Sequence, residues 1–403
     1  MFYRVSNAII APDLIKDLNL NAETLGILGG AFFYSFALLQ IPMGMLLDRI
    51  GPRVVMALFS LIGGLGALMF ALAATFLTAF IGRALIGMGM GCALMGAMKV
   101  FVLQFPQEKF STLSGIFISI GTLGSMLATS PLAYLNSTIG WRPTLMFAGG
   151  LTLILSFLIF WVLGDHIYSK KKKASSLPHP EQQISLSKSI QLVLTNLSFW
   201  QISAVSFCNY GIFVALQGLW LGPYLMDIKG FTPIQTGNIL MMLSLGMIIG
   251  SPIAGQLSDR VFQSTKSVTL YGLCLYGLCL IPLMGVWKIE NPLLFSLIFF
   301  FMGLFSGFGM LTYTHIKELF PLHMSGTVIA GVNFFTMSGG AVFMQGLGKV
   351  IKSFPRTHDS YSPQAYHLAF FICFLAMAGS LIFYFFLKEK KGIMRFFRAF
   401  IST

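Results

Sequence analysis

Arg4, Arg83 and Lys99 are basic side chains set within or beside long apolar runs. A charge so placed is costly unless it faces a cavity, a partner or the end of its run, so each is a candidate for chemistry. Arg4 has company. Tyr3 precedes it, and Asn7 follows one helical turn later, which on a helix gathers the trio on one polar face. A planar guanidinium there matches the two oxygens of a carboxylate or phosphate with paired hydrogen bonds, and the match strengthens as water is excluded. Arg83 opens the stretch Arg83-Ala-Leu-Ile-Gly87-Met-Gly89-Met-Gly91, a cation followed by a glycine face on which another helix can pack closely. Two readings stay open for it: a functional cation inside the bundle, or a side chain that reaches along its own stem to the nearby end of its run. Lys99, toward the other end of that run, reads as an anchor at the membrane interface in preference to a second cationic contact.

The acids are placed differently. Asp13, Asp17, Glu23, Asp48, Glu108, Asp165, Asp227, Asp259, Glu290, Glu318 and Glu389 all fall in loops or at the ends of apolar runs. Exporters of cations keep a buried carboxylate and proton-driven carriers keep a titrating group, so cation export is disfavoured and the coupling mode stays open. No glycine-rich phosphate cradle, nucleophile triad or metal cluster stands in a suitable setting, which argues against ATP drive, a metal, a cofactor and enzymatic chemistry. The five cysteines, Cys92, Cys208, Cys274, Cys279 and Cys373, sit in apolar runs and read as reduced packing residues. His315, near the end of a run, reads as interfacial.

The elements that must position these residues are membrane helices. A chain of 403 residues that is 56% hydrophobic and 10% charged cannot hide its apolar surface in one soluble core. Apolar windows mark spans at 24–47, 54–74, 77–102, 113–135 and 143–163, then at 199–226, 235–257, 268–286, 293–313, 328–350 and 366–387. Ahead of them only residues 2–11 remain, about half a bilayer at ~1.5 Å per residue. The first helix therefore reads as cut in half, and ~10 to 15 further apolar residues ahead of it would bring it to bilayer-spanning length. If Pro12 ends this helix, Arg4 lies ~12 Å below that end, near mid-membrane. The division is 1–164 for the first half, 165–198 for a basic linker with Lys170 to Lys173, 199–387 for the second half and 388–403 for a tail. Within the linker, 184–194 is faintly amphipathic. The net charge of +13 follows the loops and not a nucleic-acid face. Seventeen cations, among them Arg49, Arg53, Lys99, Arg260 and those of the linker and tail, lie on one side, against six on the other: Lys16, Arg142, Lys229, Lys288, Lys352 and Arg356. This places both termini in the cytoplasm.

The loop after the second span reads Gly44-Met-Leu46-Leu-Asp48-Arg49-Ile-Gly51-Pro-Arg53, and the equivalent loop of the second half reads Gly255-Gln-Leu257-Ser-Asp259-Arg260. This doubled G-x-L-x-D-R-x-G-x-R signature resembles the major facilitator superfamily. The resemblance implies an all-α membrane protein of two six-helix bundles related by pseudo-two-fold symmetry, which moves a small solute by alternating access. It also implies gating roles for Gly44, Asp48, Arg49, Gly51, Arg53, Asp259 and Arg260, with the glycines allowing close helix approach and the charges pairing between the halves. The stretch Tyr3-Arg4-Val-Ser-Asn7 through Pro12-Asp13-Leu14 resembles the first helix of organic-anion and sugar-phosphate permeases, which implies that Arg4 binds the anion.

Tyr34, Gln40, Asn209, Tyr210, Gln217, Asn238, Asn333 and Thr336 are polar residues within spans that can line the same cavity. No basic residue lies in 199–226, where phosphate permeases often carry a second one, so a monoanion or a mixed polar solute is favoured. Gly121-Thr-Leu-Gly124-Ser replaces the Gly-Pro signature of drug antiporters. Expected partners are the solute, the bilayer and a coupling ion or exchanged anion, for a monomer of the bacterial inner membrane. Two rivals remain: a carrier of small peptides or carboxylate siderophores, and a solute sensor that does not transport.

Overall fold

The computed structural model of the protein describes residues 1–106, 109–163, 193–320, 325–357 and 360–387. The linker up to residue 192, with its four lysines and most of the amphipathic stretch, and the tail 388–403 lie outside them. The first half runs α1 (Phe2–Val5), α2 (Asn7–Asp17), α3 (Ala22–Arg49), α4 (Pro52–Ala71), α5 (Phe76–Met90), α6 (Ala93–Gln104), α7 (Phe110–Leu127), α8 (Ser130–Ile139) and α9 (Trp141–Val162). The second runs α10 (Leu197–Ala215), α11 (Leu221–Pro223), α12 (Pro233–Gln256), α13 (Thr265–Leu280), α14 (Pro292–Ser306), α15 (Leu311–Leu319), α16 (Ser325–Lys352) and α17 (Pro363–Phe385). Among the described residues, 10 helices are long and apolar enough to cross a membrane, and 11 if α7 and α8, bent by 41°, form one span. A two-stranded hairpin, with Arg356 opposite Tyr361, precedes α17 and was not expected.

Local chemistry sets the ends. Asn21 and Thr24, Thr75 and Thr78, and Thr232 and Gln235 form reciprocal caps at the starts of α3, α5 and α12. Gly51 has φ of 94°, a left-handed backbone that glycine adopts without penalty, and Pro52 then begins α4.

The halves meet along an antiparallel seam of α3 and α16. Gly348 packs on Ala22, Gly26 on Met344 and Gly30 on Ala341. Lys352 pairs with Glu23 at 2.7 Å at one end, and Asn333 donates to Gln40 at 3.0 Å further along. Further along, a Cβ added at Gly44 or Gly326 would meet nothing within 4 Å. Among the described residues the halves are therefore joined on the face of Glu23 and Lys352, and these two glycines toward the basic face have open space beside them.

Candidate functional site

The first helix continues past Pro12 to Asp17. This corrects the depth expected for Arg4, which lies thirteen residues, or ~20 Å, from the end of the helix. Pro12 has no N–H to give the carbonyl of Ala8 four residues back, so that oxygen loses its helical donor. Gly222 packs there. A Cβ at Gly222 would stand 1.9 Å from Ala8 O, so only glycine lets the seventh span rest on this carbonyl. One turn earlier, a Cβ at Gly218 would stand 2.8 Å from Arg4 O. The span presents this G-x-x-x-G face through two π-helical turns, Leu216–Trp220 and Tyr224–Ile228, whose extra residues rotate the side chains that follow. Hydropathy alone carries no signal for such turns.

Arg4 is half-buried on the line where the halves meet. Its Nη1 donates to the Tyr210 hydroxyl of the second half. The guanidinium carbon lies 6.0 Å from the Phe33 ring, 5.6 Å from Phe36 and 5.8 Å from Tyr210. These partners are all neutral. Among the described residues no carboxylate pairs with Arg4, and its Nε has no hydrogen-bond partner. Asn7, one turn on, is fully buried, and neither of its amide atoms has a partner among the described residues. A fixed cation with uncommitted donors, set in an aromatic wall, is chemically suited to an anion.

Arg83 is 1% exposed, so it does not reach out to the interface. Its Nη1 donates to the Tyr3 carbonyl at 2.9 Å, and its guanidinium lies 5.5 Å from both the Phe32 and Phe70 rings. Nε and Nη2 have no partner among the described residues. The Tyr3 hydroxyl meets Thr152 at 2.9 Å. Tyr3 is thus held within the first half at both its carbonyl and its hydroxyl, while Arg4 turns to the second. The structure separates two residues expected on one face.

A directed chain of hydrogen bonds crosses the seam nearby. Tyr313 donates to Asn333 Oδ1 at 3.0 Å, Asn333 Nδ2 to Gln40 Oε1 at 3.0 Å, and Gln40 Nε2 to the Gly91 carbonyl at 3.2 Å. That carbonyl is available because the helix breaks between Met90 and Ala93. Sequence reasoning missed Tyr313: its partner lies twenty residues on in another helix, and no local pattern marks it.

The remaining polar candidates hydrogen-bond to protein. Tyr34 donates to Gln345 at 2.9 Å, Asn209 to the Ser306 carbonyl at 3.2 Å, Gln217 to Ser244 at 2.9 Å and Thr336 to the Val332 carbonyl at 2.8 Å. Asn238 accepts from Ser130 at 2.5 Å. His315 is buried, not interfacial, with Nδ1 2.6 Å from the Tyr384 hydroxyl.

The gating residues lie toward the basic face. Asp48 pairs with Lys99 at 2.6 Å, which makes Lys99 a partner of the motif. Arg53 donates to the Phe160 carbonyl at 2.9 Å and lies 4.2 Å over its ring. These contacts stay within the first half. Arg49, Asp259 and Arg260 are exposed, and a Cβ at Gly255, as at Gly44, would meet nothing within 4 Å. The close approach expected of these glycines is absent among the described residues.

A model of the Major Facilitator Superfamily matches residues 1–344. The chain is 24% identical over 315 residues to the probable sulfoacetate transporter SauU of Cupriavidus necator, covering 75% of this chain and 73% of that protein. It is 23% identical over 382 residues to a probable hexose phosphate transport protein of Chlamydia trachomatis, covering 87% and 81%. Its fold is similar, with a TM-score of 0.74 at 17% identity, to a bacterial homolog of the human lysosomal transporter Spinster in an inward-facing and occupied conformation, covering 95% of this chain and 92% of that one. The chain belongs to the Major Facilitator Superfamily, and it is a transporter and not an enzyme.

Proposed function

We propose that this superfamily member carries a small organic anion by alternating access, with Arg4 as the anchor for the anionic oxygens. The observation that carries the reading is the half-buried Arg4 guanidinium, set between neutral partners with Nε uncommitted. A cation in a low-dielectric cavity gains most from a ligand of opposite charge, and its planar fork suits a carboxylate, sulfonate or phosphate. Asn7 is a second contact, through an amide that can donate and accept. The names of the two relatives, a probable sulfoacetate transporter and a probable hexose phosphate transport protein, support an anionic solute. Because Arg83 is turned into the first half and Lys99 is paired with Asp48, one cation faces the solute, which favours a monoanion.

In this reading the positive-inside distribution makes the basic face cytoplasmic, so the conformation described is open to the cytoplasm. The Asp48 and Asp259 loops then close that face in the opposite state, when the halves rock together. The test is uptake into proteoliposomes of labelled D-gluconate, glycolate, sulfoacetate, glucose 6-phosphate and a neutral dipeptide. Uptake of one or more of the acids by the native protein and its loss in Arg4→Ala are expected. Equal uptake by the variant, or uptake of the dipeptide alone, overturns the assignment.

A further inference from the structure

We propose that the Arg4–Tyr210 hydrogen bond is a tether of the empty carrier: Tyr210 stands in for the transported anion and holds the halves together until an anion displaces it. The inference rests on Arg4 being the anion anchor. It adds a role for Tyr210 that opposes binding and assigns a coupling mode.

Four observations lead to it. Arg4 belongs to the first half and Tyr210 to the second, so the bond crosses the seam on which alternating access depends. Arg4 carries no bond to a carboxylate among the described residues, so its ligand is a single neutral oxygen. Tyr210 is held in place by backbone packing: Gly211, its neighbour, lies against Gly339, where a Cβ would stand 2.7 Å from the Gly339 carbonyl carbon. The polar chain through Asn333 and Gln40, which also joins the halves, has no cation in it and nothing for an anion to displace. Of the described hydrogen bonds that join the halves, the Arg4–Tyr210 bond is therefore the one that an anion at Arg4 replaces directly.

A charged oxygen binds a guanidinium roughly twice as strongly as a neutral one. An arriving anion therefore takes the Nη1 donor from Tyr210 and in the same step releases the tether. The loaded carrier is free to open on the Glu23–Lys352 face, whereas the empty one is held shut there. A carrier that crosses only when loaded exchanges anions and moves them poorly in one direction. Substrate and reorientation are linked because one guanidinium serves both.

The experiment places ketone-bearing unnatural residues for spin labels at Leu72 and Val286, exposed positions of the two halves on the closed face, and measures the distance between them without added anion. The native protein should give one short distance, and Tyr210→Phe should add a second, longer population. Tyr3→Phe removes a hydroxyl bonded inside the first half and should leave the distance as it is. In proteoliposomes with D-gluconate, or whichever acid of the panel is carried, native homoexchange should exceed net uptake into empty vesicles by roughly tenfold, and Tyr210→Phe should close that gap. An unchanged distance in Tyr210→Phe, or the same opening in Tyr3→Phe, overturns the tether. Normal anion binding by Arg4→Ala alongside opening in Tyr210→Phe overturns the anchor and with it the release of the tether by the anion, while a bond that holds the halves together stays shown.

Discussion

In the first half, Arg4, Asn7 and Arg83 keep donors or acceptors without partners among the described residues, whereas in the second half Asn209, Gln217, Tyr313 and Asn333 direct theirs to neighbouring helices. The two sets look alike in the sequence, as polar residues in apolar spans. Their difference is one of satisfaction, though not of whole halves, since the hydroxyls of Ser203, Thr236 and Tyr276 in the second half also have no partner among the described residues. What sets Arg4 apart is a cation with an uncommitted donor where the halves meet. The solute is therefore expected to bind the first helix, with the second half supplying the wall that moves against it.

The comparison is broken most severely at its strongest member. Arg4→Ala should lower apparent affinity by at least ~100-fold, because an anion would then enter without its counter-charge, at a cost of about 3 kcal/mol or more; initial rates in proteoliposomes measure this. Gly222→Leu should act next most strongly. Its side chain cannot share space with the Ala8 carbonyl, 1.9 Å from a Cβ at that position, so the closed face should be forced apart and label reagents should reach Gln345 from that side. Asn7→Leu should reduce affinity roughly tenfold while leaving the fold intact, since it removes two atoms that have no partner among the described residues. Gln217→Leu should leave affinity unchanged and lower stability by about 1 kcal/mol through its bond to Ser244, read as a modest loss of Tm in detergent. The smallest effect is expected for Lys352→Ala, whose exposed pair with Glu23 lies at the rim; transport should hardly change.

Much of this was legible beforehand for definite reasons. Spans are readable because lipid demands some twenty apolar residues in a row, and from the second span on the observed helices start within a few positions of those expected, while the ends of some, such as Leu280 and Leu319, differ more. Arg4 stands out in the sequence because a cation in an apolar run has few innocent explanations, but the depth read from Pro12 is wrong because the helix runs on to Asp17. What escaped has a common cause in tertiary contact. Pro12 looked like a helix end, yet the carbonyl it strands is covered by Gly222, more than two hundred residues away. Arg83 and Lys99 looked like residues near the ends of one run, but Tyr3 and Asp48, on other helices, claim them. Asn209 and Gln217 carried the same polar signal as Asn7, and only their neighbours reveal that they are satisfied. The π turns that aim the seventh span leave the hydropathy unchanged.

The central claim, that anion binding belongs to the first helix and not to the second half, is tested most directly by equilibrium binding of the carried acid to purified protein in detergent. Native protein, Arg4→Ala and Gln217→Leu would be compared side by side. The account predicts saturable binding by the native protein and by Gln217→Leu with the same Kd, and a Kd at least ~100-fold higher for Arg4→Ala. Retained binding by Arg4→Ala together with its loss in Gln217→Leu would contradict it.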